Sequence, residues 1–241
     1  MTLANLKEYN NTKDCESVVR GHIMLMSDAM IRKAIEEELL TISDFSEDCL
    51  QPASYNFRLG DEAIASSRRE KEHPSRRGLF TVPAGDFALV KTYEHVALSN
   101  YVAGNIGLRS HYAKKGLDIL AGPQIDPGFK GCLVVGLTNL SPRDITIPYK
   151  EEFCTVQFFQ FAEPVSKPYD GEYQGQMEIT GRDLELLVDS QGMTFGEVIK
   201  SLGSLSSNVR DLSRWVKFQA WAIPAIIVIG IAVIGIIVAI K

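Results

Sequence analysis

Gln124-Ile125-Asp126-Pro127-Gly128-Phe129-Lys130-Gly131-Cys132-Leu133-Val134-Val135 runs a tight turn straight into an apolar strand, and its reading decides the fold. Proline presets φ for the first central position of such a turn, and glycine supplies the positive φ that the second requires. The residues that follow, Cys132-Leu133-Val134-Val135-Gly136-Leu137, are apolar and rich in β-branched or strand-compatible side chains. The same rhythm recurs outward in both directions. Phe87-Ala88-Leu89-Val90 and Thr155-Val156-Gln157-Phe158-Phe159 read as strands, while Pro83-Ala84-Gly85-Asp86 and Ser141-Pro142-Arg143-Asp144 read as turns. From about Leu50 to Pro164 this spacing predicts a mainly β domain, a sandwich, barrel or jelly roll. A short helix precedes it over Ser27–Leu40, with Ser27 or Asp28 as cap and Ile31, Ile35 and Leu39 on one face.

The net charge of −5 gives no reason to expect nucleic-acid binding. The basic run from Ser67 to Arg77 is broken by Glu70 and Glu72 and reads as a solvated loop. Cys15, Cys49, Cys132 and Cys154 are widely spaced, which fits a reduced, cytoplasmic domain.

The C-terminal part has a different pattern. Phe195, Val198, Leu202, Leu205, Val209, Leu212 and Val216 alternate at spacings of three and four, a heptad seam that predicts a stalk joining several copies. A helix packed on the β-domain or lying on lipid would show the same seam. Trp221 to Ile240 then carries no charge, and about 20 apolar residues at ~1.5 Å each span a hydrocarbon core of ~30 Å. Arg210, Arg214 and Lys217 precede this stretch and only Lys241 follows it. The expectation is a single-pass, tail-anchored membrane protein with its N-terminal domain in the cytoplasm. The expected organisation is an extension over 1–23, a β-domain over 24–180, a connector and stalk over 181–217, and an anchor over 218–241.

Two further stretches carry chemistry. Gln51-Pro52-Ala53-Ser54-Tyr55-Asn56-Phe57-Arg58-Leu59-Gly60 alternates an apolar face (Tyr55, Phe57, Leu59) with a polar one (Ser54, Asn56, Arg58). Gly107-Leu108-Arg109-Ser110-His111-Tyr112-Ala113-Lys114-Lys115-Gly116-Leu117 places cationic and hydroxyl donors where phosphate oxygens could take them. Each has a bland reading, as a half-polar strand and as a basic helix face, and Asp126 could equally be a turn former.

In this order, the Met26-Ser27-Asp28 opening, the Leu50–Gly60 strand, Arg109-Ser110 with Gly116-Leu117, and Ile125–Gly131 resemble the dCTP deaminase and dUTPase superfamily. Pro168-Tyr169-Asp170-Gly171-Glu172-Tyr173-Gln174-Gly175-Gln176 is similar to the C-terminal lid of its dCTP deaminase branch. The resemblance implies a dUTPase-like distorted jelly roll or barrel, a homotrimer with sites between subunits, and dCTP or dUTP as ligand with Mg2+ on its phosphates. It implies Asp126 and Ser110 as catalytic residues. Arg109, Lys114, Gln124, Phe129, Lys167, Tyr169 and Gln176 would bind substrate.

Two positions depart from that pattern. The glutamate that moves protons in zinc-free deaminases falls at Gly136, and glycine offers no general base. The second arginine of the phosphate motif is Lys114. No H-x-E with P-C-x-x-C is present, so a zinc deaminase is not expected. Three functions follow for comparison: an enzyme that deaminates dCTP or hydrolyses dUTP, a nucleotide-binding sensor that signals through its stalk, and a membrane scaffold on an inherited fold.

Overall fold

A computed structural model describes residues 23–185 except Arg69, Ala121 and Leu184, and residues 203–220 with Ala222 and Pro224. The chain divides into two compact units, Met1–Gly192 and Met193–Lys241.

The first unit is mainly β, as expected. Strands β1 (Met24–Leu25), β2 (Leu40–Ile42), β3 (Leu50–Gln51), β4 (Ser54–Ala65), β5 (Leu79–Val82) and β6 (Phe87–Leu98) precede the Arg109–Lys114 segment. Around and after it come β7 (Val102–Leu108), β8 (Leu117–Ile119), β9 (Gln124–Ile125), β10 (Lys130–Asn139), β11 (Ile145–Pro148) and β12 (Glu152–Gln160). The main path through the sheet runs β8-β10-β6-β4-β12-β7-β9, with β11 and β5 paired separately. Strand β4 joins its two halves. Its Tyr55–Arg58 portion pairs with β12, its Leu59–Ala65 portion pairs with β6, and an irregularity between Leu59 and Ala63 turns the strand between them. The apolar alternation read at Tyr55, Phe57 and Leu59 is the inward face, and all three are fully buried.

Strand β6 alternates without a break, sending Ala88, Val90, Thr92, Glu94, Val96 and Leu98 inward. Glu94 is the costly member. Its carboxylate takes both the backbone N–H and the guanidinium of Arg58, which satisfies a charge held inside the core. Burial still pushes the Glu94 carboxyl above its usual range, outweighing those Arg58 hydrogen bonds.

The N-terminal helix α1 spans Asp28–Glu36, and the Ser27 hydroxyl accepts from the Met30 N–H as its cap. The sequence pattern extended it to Leu40, but the chain leaves the helix four residues sooner. Glu38 adopts a φ of 58°, and Leu40 and Ile42 pair with Leu98 and Val96 as strand β2. Edge pairing on β6 outweighs the local helical period here. The basic run contains the short helix α2 (Pro74–Arg77) and is more tightly built than a solvated loop. Glu72 lies between Arg68 and Arg77, at 2.7 Å from each. Cys49, Cys132 and Cys154 are free thiols.

In the second unit, residues 203–220 are helical, and Leu205, Val209, Leu212 and Val216 of the expected seam are exposed. The seam's Phe195, Val198 and Leu202 lie outside the described residues. So does the apolar stretch Trp221–Ile240, apart from Ala222 and Pro224. Among the described residues no helix is long and apolar enough to cross a membrane.

Candidate functional site

The Asp126–Phe129 turn closes as its sequence dictates. The Phe129 N–H donates to the Asp126 carbonyl at 3.1 Å, and Gly128 has a φ of 89°. The Asp126 side chain is partly exposed, and one carboxylate oxygen accepts from the Gln124 amide. Phe129 is buried, with its ring edge-on to Tyr169 at 5.8 Å between centroids.

Tyr169 belongs to a strap, residues 165–183, that folds down on this hairpin. The Tyr169 N–H donates to the Pro127 carbonyl at 2.8 Å, and the Gln174 amide donates to the Gly128 carbonyl at 2.8 Å. Further along, the Cys132 N–H and its thiol both donate to the Gln176 carbonyl, at 2.8 and 3.2 Å. The hairpin glycines make this approach possible. A Cβ on Gly128 would stand 2.8 Å from Pro168 Cβ, and one on Gly131 would stand 2.6 Å from the Gln176 carbonyl oxygen. The Gln176 amide points along the strap, to the Asp183 carboxylate at 2.9 Å. Lys167 is exposed at the start of the strap. Burial beneath it pushes the Cys132 thiol up to about 11.

The strap then crosses the outer face of β4, β6 and β10. Ile179 is buried with Ile64, against Phe87, Leu89 and Val134. Its N–H donates to the Glu62 carboxylate at 2.8 Å, and Lys91 donates to the Met177 carbonyl at 3.1 Å. Gly136 lies on this same face of β10, two residues beyond Val134. A Cβ there would meet the Leu120 carbonyl oxygen at 2.8 Å and the Phe87 ring at 3.0 Å. The place a glutamate side chain would need is therefore filled by backbone and by an aromatic ring.

The Arg109–Lys114 segment follows directly on the end of β7. Arg109 caps the short helix α3 (Ser110–Ala113), and Ser110 and Lys114 are exposed at its two ends. The Arg109 guanidinium contacts the Glu152 carboxylate at 2.9 Å, and the Asn56 amide donates to the same carboxylate at 2.7 Å. Asn56 was visible as part of a polar strand face. Ile179 and the place of the Phe87 ring carry no recognisable signal in the sequence, because each acquires its position through partners far along the chain.

Within one chain the two groups of residues stay apart. Ile125, next to Asp126, pairs with Gly104, while Arg109 lies beyond the other end of β7. At ~3.4 Å per residue of strand, Gly104 and Arg109 are roughly 17 Å apart. Within one copy the Asp126 hairpin with its strap and the Arg109–Lys114 segment are therefore two separate places. Among the described residues, no group of three or more His, Cys, Asp or Glu side chains is placed to hold a metal ion.

The mainly β, curled antiparallel sheet matches the dUTPase-like fold. The family described as dCTP deaminase-like matches residues 25–161, more than half of the chain, and the chain belongs to it. The dCTP deaminase of Pyrococcus abyssi is 35% identical over 159 residues, covering 65% of this chain and 96% of that protein. A probable deoxyuridine 5'-triphosphate nucleotidohydrolase of Sulfolobus islandicus rod-shaped virus 1 is 32% identical over 158 residues, covering 65% of this chain and 97% of that protein. In fold, the chain is similar to the crystal structure of 2'-deoxycytidine 5'-triphosphate deaminase from Agrobacterium tumefaciens. The TM-score is 0.50 at 17% identity, covering 57% of this chain and about half (48%) of that one.

Proposed function

We propose that this protein binds a pyrimidine deoxynucleoside triphosphate between copies of itself and hydrolyses dUTP to dUMP and pyrophosphate, and that it does not deaminate dCTP by the family's glutamate route. The observation that carries this reading is the filled space at Gly136, set against the retained carboxylate at Asp126. Deamination needs a base at the pyrimidine C4, and residue 136 has neither a side chain nor room for one. Hydrolysis needs a water aimed at the α-phosphorus. Asp126 can orient that water by accepting its hydrogen, with one carboxylate oxygen steadied by Gln124. Arg109, Ser110 and Lys114 of a neighbouring copy would bind the phosphates, and Phe129 and Tyr169 would hold the sugar and base. Mg2+ would travel on the triphosphate oxygens and offset their charge.

The separation of the Asp126 hairpin from the Arg109–Lys114 segment within one chain supports a closed homo-oligomer, a trimer in this reading. The uncharged Trp221–Ile240 stretch supports a membrane anchor in a lipid bilayer, with the β-domain in the cytoplasm; carbonate extraction of cell membranes tests it, since release into the supernatant would exclude an anchor. Gly136 also favours a second reading, a nucleotide-binding sensor that reports occupancy to the C-terminal unit without turnover.

Full-length protein in detergent, given Mg2+ with dUTP, dCTP or dTTP, separates these readings. Pyrophosphate from dUTP that disappears in Asp126→Asn supports the hydrolase. A rise in melting temperature without any product supports the sensor. Ammonia released from dCTP would overturn the proposed role of position 136.

A further inference from the structure

The polar face of the Gln51–Gly60 strand has no part in the chemistry described so far, yet one of its members is almost fully buried. Asn56 is 3% exposed and sits in β4 opposite Thr155 of β12. Its side-chain amide donates to Glu152 Oε2 at 2.7 Å. The same oxygen lies 2.9 Å from Arg109 Nη1, which also donates to the Glu152 carbonyl at 3.3 Å. The register of β4, β12 and β7 brings the three residues together, with Cys154 opposite both Phe57 and Leu108.

Only one nitrogen of the Arg109 fork is used. Among the described residues, Nε and Nη2 of Arg109 have no hydrogen-bond partner, whereas Nη1 is held twice by Glu152. An arginine free to rotate loses rotamer entropy when it grips an anion; one already held on its far nitrogen does not. Glu152 would itself swing freely if the buried Asn56 did not fix its carboxylate. We propose that Asn56 and Glu152 are positioning residues for phosphate. Acting through Arg109, they hold its guanidinium so that Nε and Nη2 face a triphosphate oxygen pair. This rests on the nucleotide-binding reading above. It adds that the strand motif and the start of β12 are functional parts of the phosphate arm rather than a structural ion pair.

The carboxylate also restrains the arm. Its negative charge offsets that of Arg109, so a single loose anion gains little there, while an acceptor able to span two N–H groups gains more.

The test uses full-length protein in detergent and a non-hydrolysable α,β-imido analogue of dUTP with Mg2+, with binding followed by calorimetry. Arg109→Ala is expected to abolish measurable binding. Glu152→Ala and Asn56→Ala are each expected to weaken it by roughly tenfold, the effect of losing one hydrogen bond to a charged group. Glu152→Gln keeps an acceptor oxygen for both partners and should bind within a few-fold of wild type. If turnover is present, KM should rise in the alanine variants while kcat holds. A purely structural pair would instead lower the melting temperature and leave the affinity of the folded protein unchanged, and that result overturns the proposal. So would tighter binding by Glu152→Ala, which would make Glu152 a competitor of the phosphate. If wild type binds no analogue, the nucleotide-binding reading itself fails and the proposal fails with it. If wild type binds and only Arg109→Ala is impaired, the reading stands and the positioning role is refuted.

Discussion

The ring of Phe87 stands 3.0 Å from the point where a Cβ on Gly136 would project, on the face of β10 that the strap also covers. Restoring a glutamate there by one substitution should therefore fail. Gly136→Glu is expected to give no ammonia from dCTP and a lower melting temperature, and Gly136→Ala to cost about 1–3 kcal/mol in a denaturant titration. Deamination by Gly136→Glu alone would show that the space is open.

Cys132 reports on the strap. With its thiol pushed up to about 11, only about one molecule in a thousand carries the thiolate at pH 8. Site-resolved mass spectrometry should find Cys132 almost unreactive towards iodoacetamide in the native protein. Gly131→Ala, which sets a methyl against the Gln176 carbonyl, and Ile179→Asp, which unseats the strap's apolar anchor, should each speed its alkylation at least tenfold. Equal rates in all three proteins would mean that the strap does not shield the thiol.

Glu94 sets a pH dependence of stability. Its folded-state carboxyl is raised by burial, so the folded protein takes up this proton at a higher pH than the unfolded chain does. Its contribution is fully present below the usual glutamate range and is lost as pH rises through the raised value. Denaturation midpoints from pH 4 to 8 should show wild type gaining on Glu94→Gln towards acid. Glu94→Ala, which leaves the Arg58 charge without its buried partner, should cost about 3–5 kcal/mol.

The helical residues 203–220 expose Leu205, Val209, Leu212 and Val216 at coiled-coil spacing. Leu212→Cys in the full-length protein is expected to form an oxidant-dependent cross-link between copies, and Leu205→Asp to suppress it. A cysteine that never cross-links would remove the stalk.

The legible parts of this molecule are those whose cause is local. Tyr55, Phe57 and Leu59 were read as one face by alternation, and the Asp126–Gly128 turn by its proline and glycine. The motif order revealed the family and the strap. The end of α1 is not legible, because Leu39 continues a helical period that tertiary pairing overrides at Leu40. The pairing of Glu152 with Arg109 is illegible for a different reason: the two meet only because β12 lies between β4 and β7. The filled space at Gly136 was half legible, since a missing side chain can be read from sequence but the Phe87 ring standing in its place cannot.

The distance along β7 between the Asp126 hairpin and Arg109 has a genetic consequence. If each site takes Asp126 from one copy and Arg109 from the next, two defective alleles can repair each other. Asp126→Asn and Arg109→Ala chains, each inactive alone, would on random co-assembly restore about a quarter of the interfaces to wild-type composition. Complementation in a mixed expression strain, absent when either allele is expressed alone, would follow from nothing more than the length of one strand.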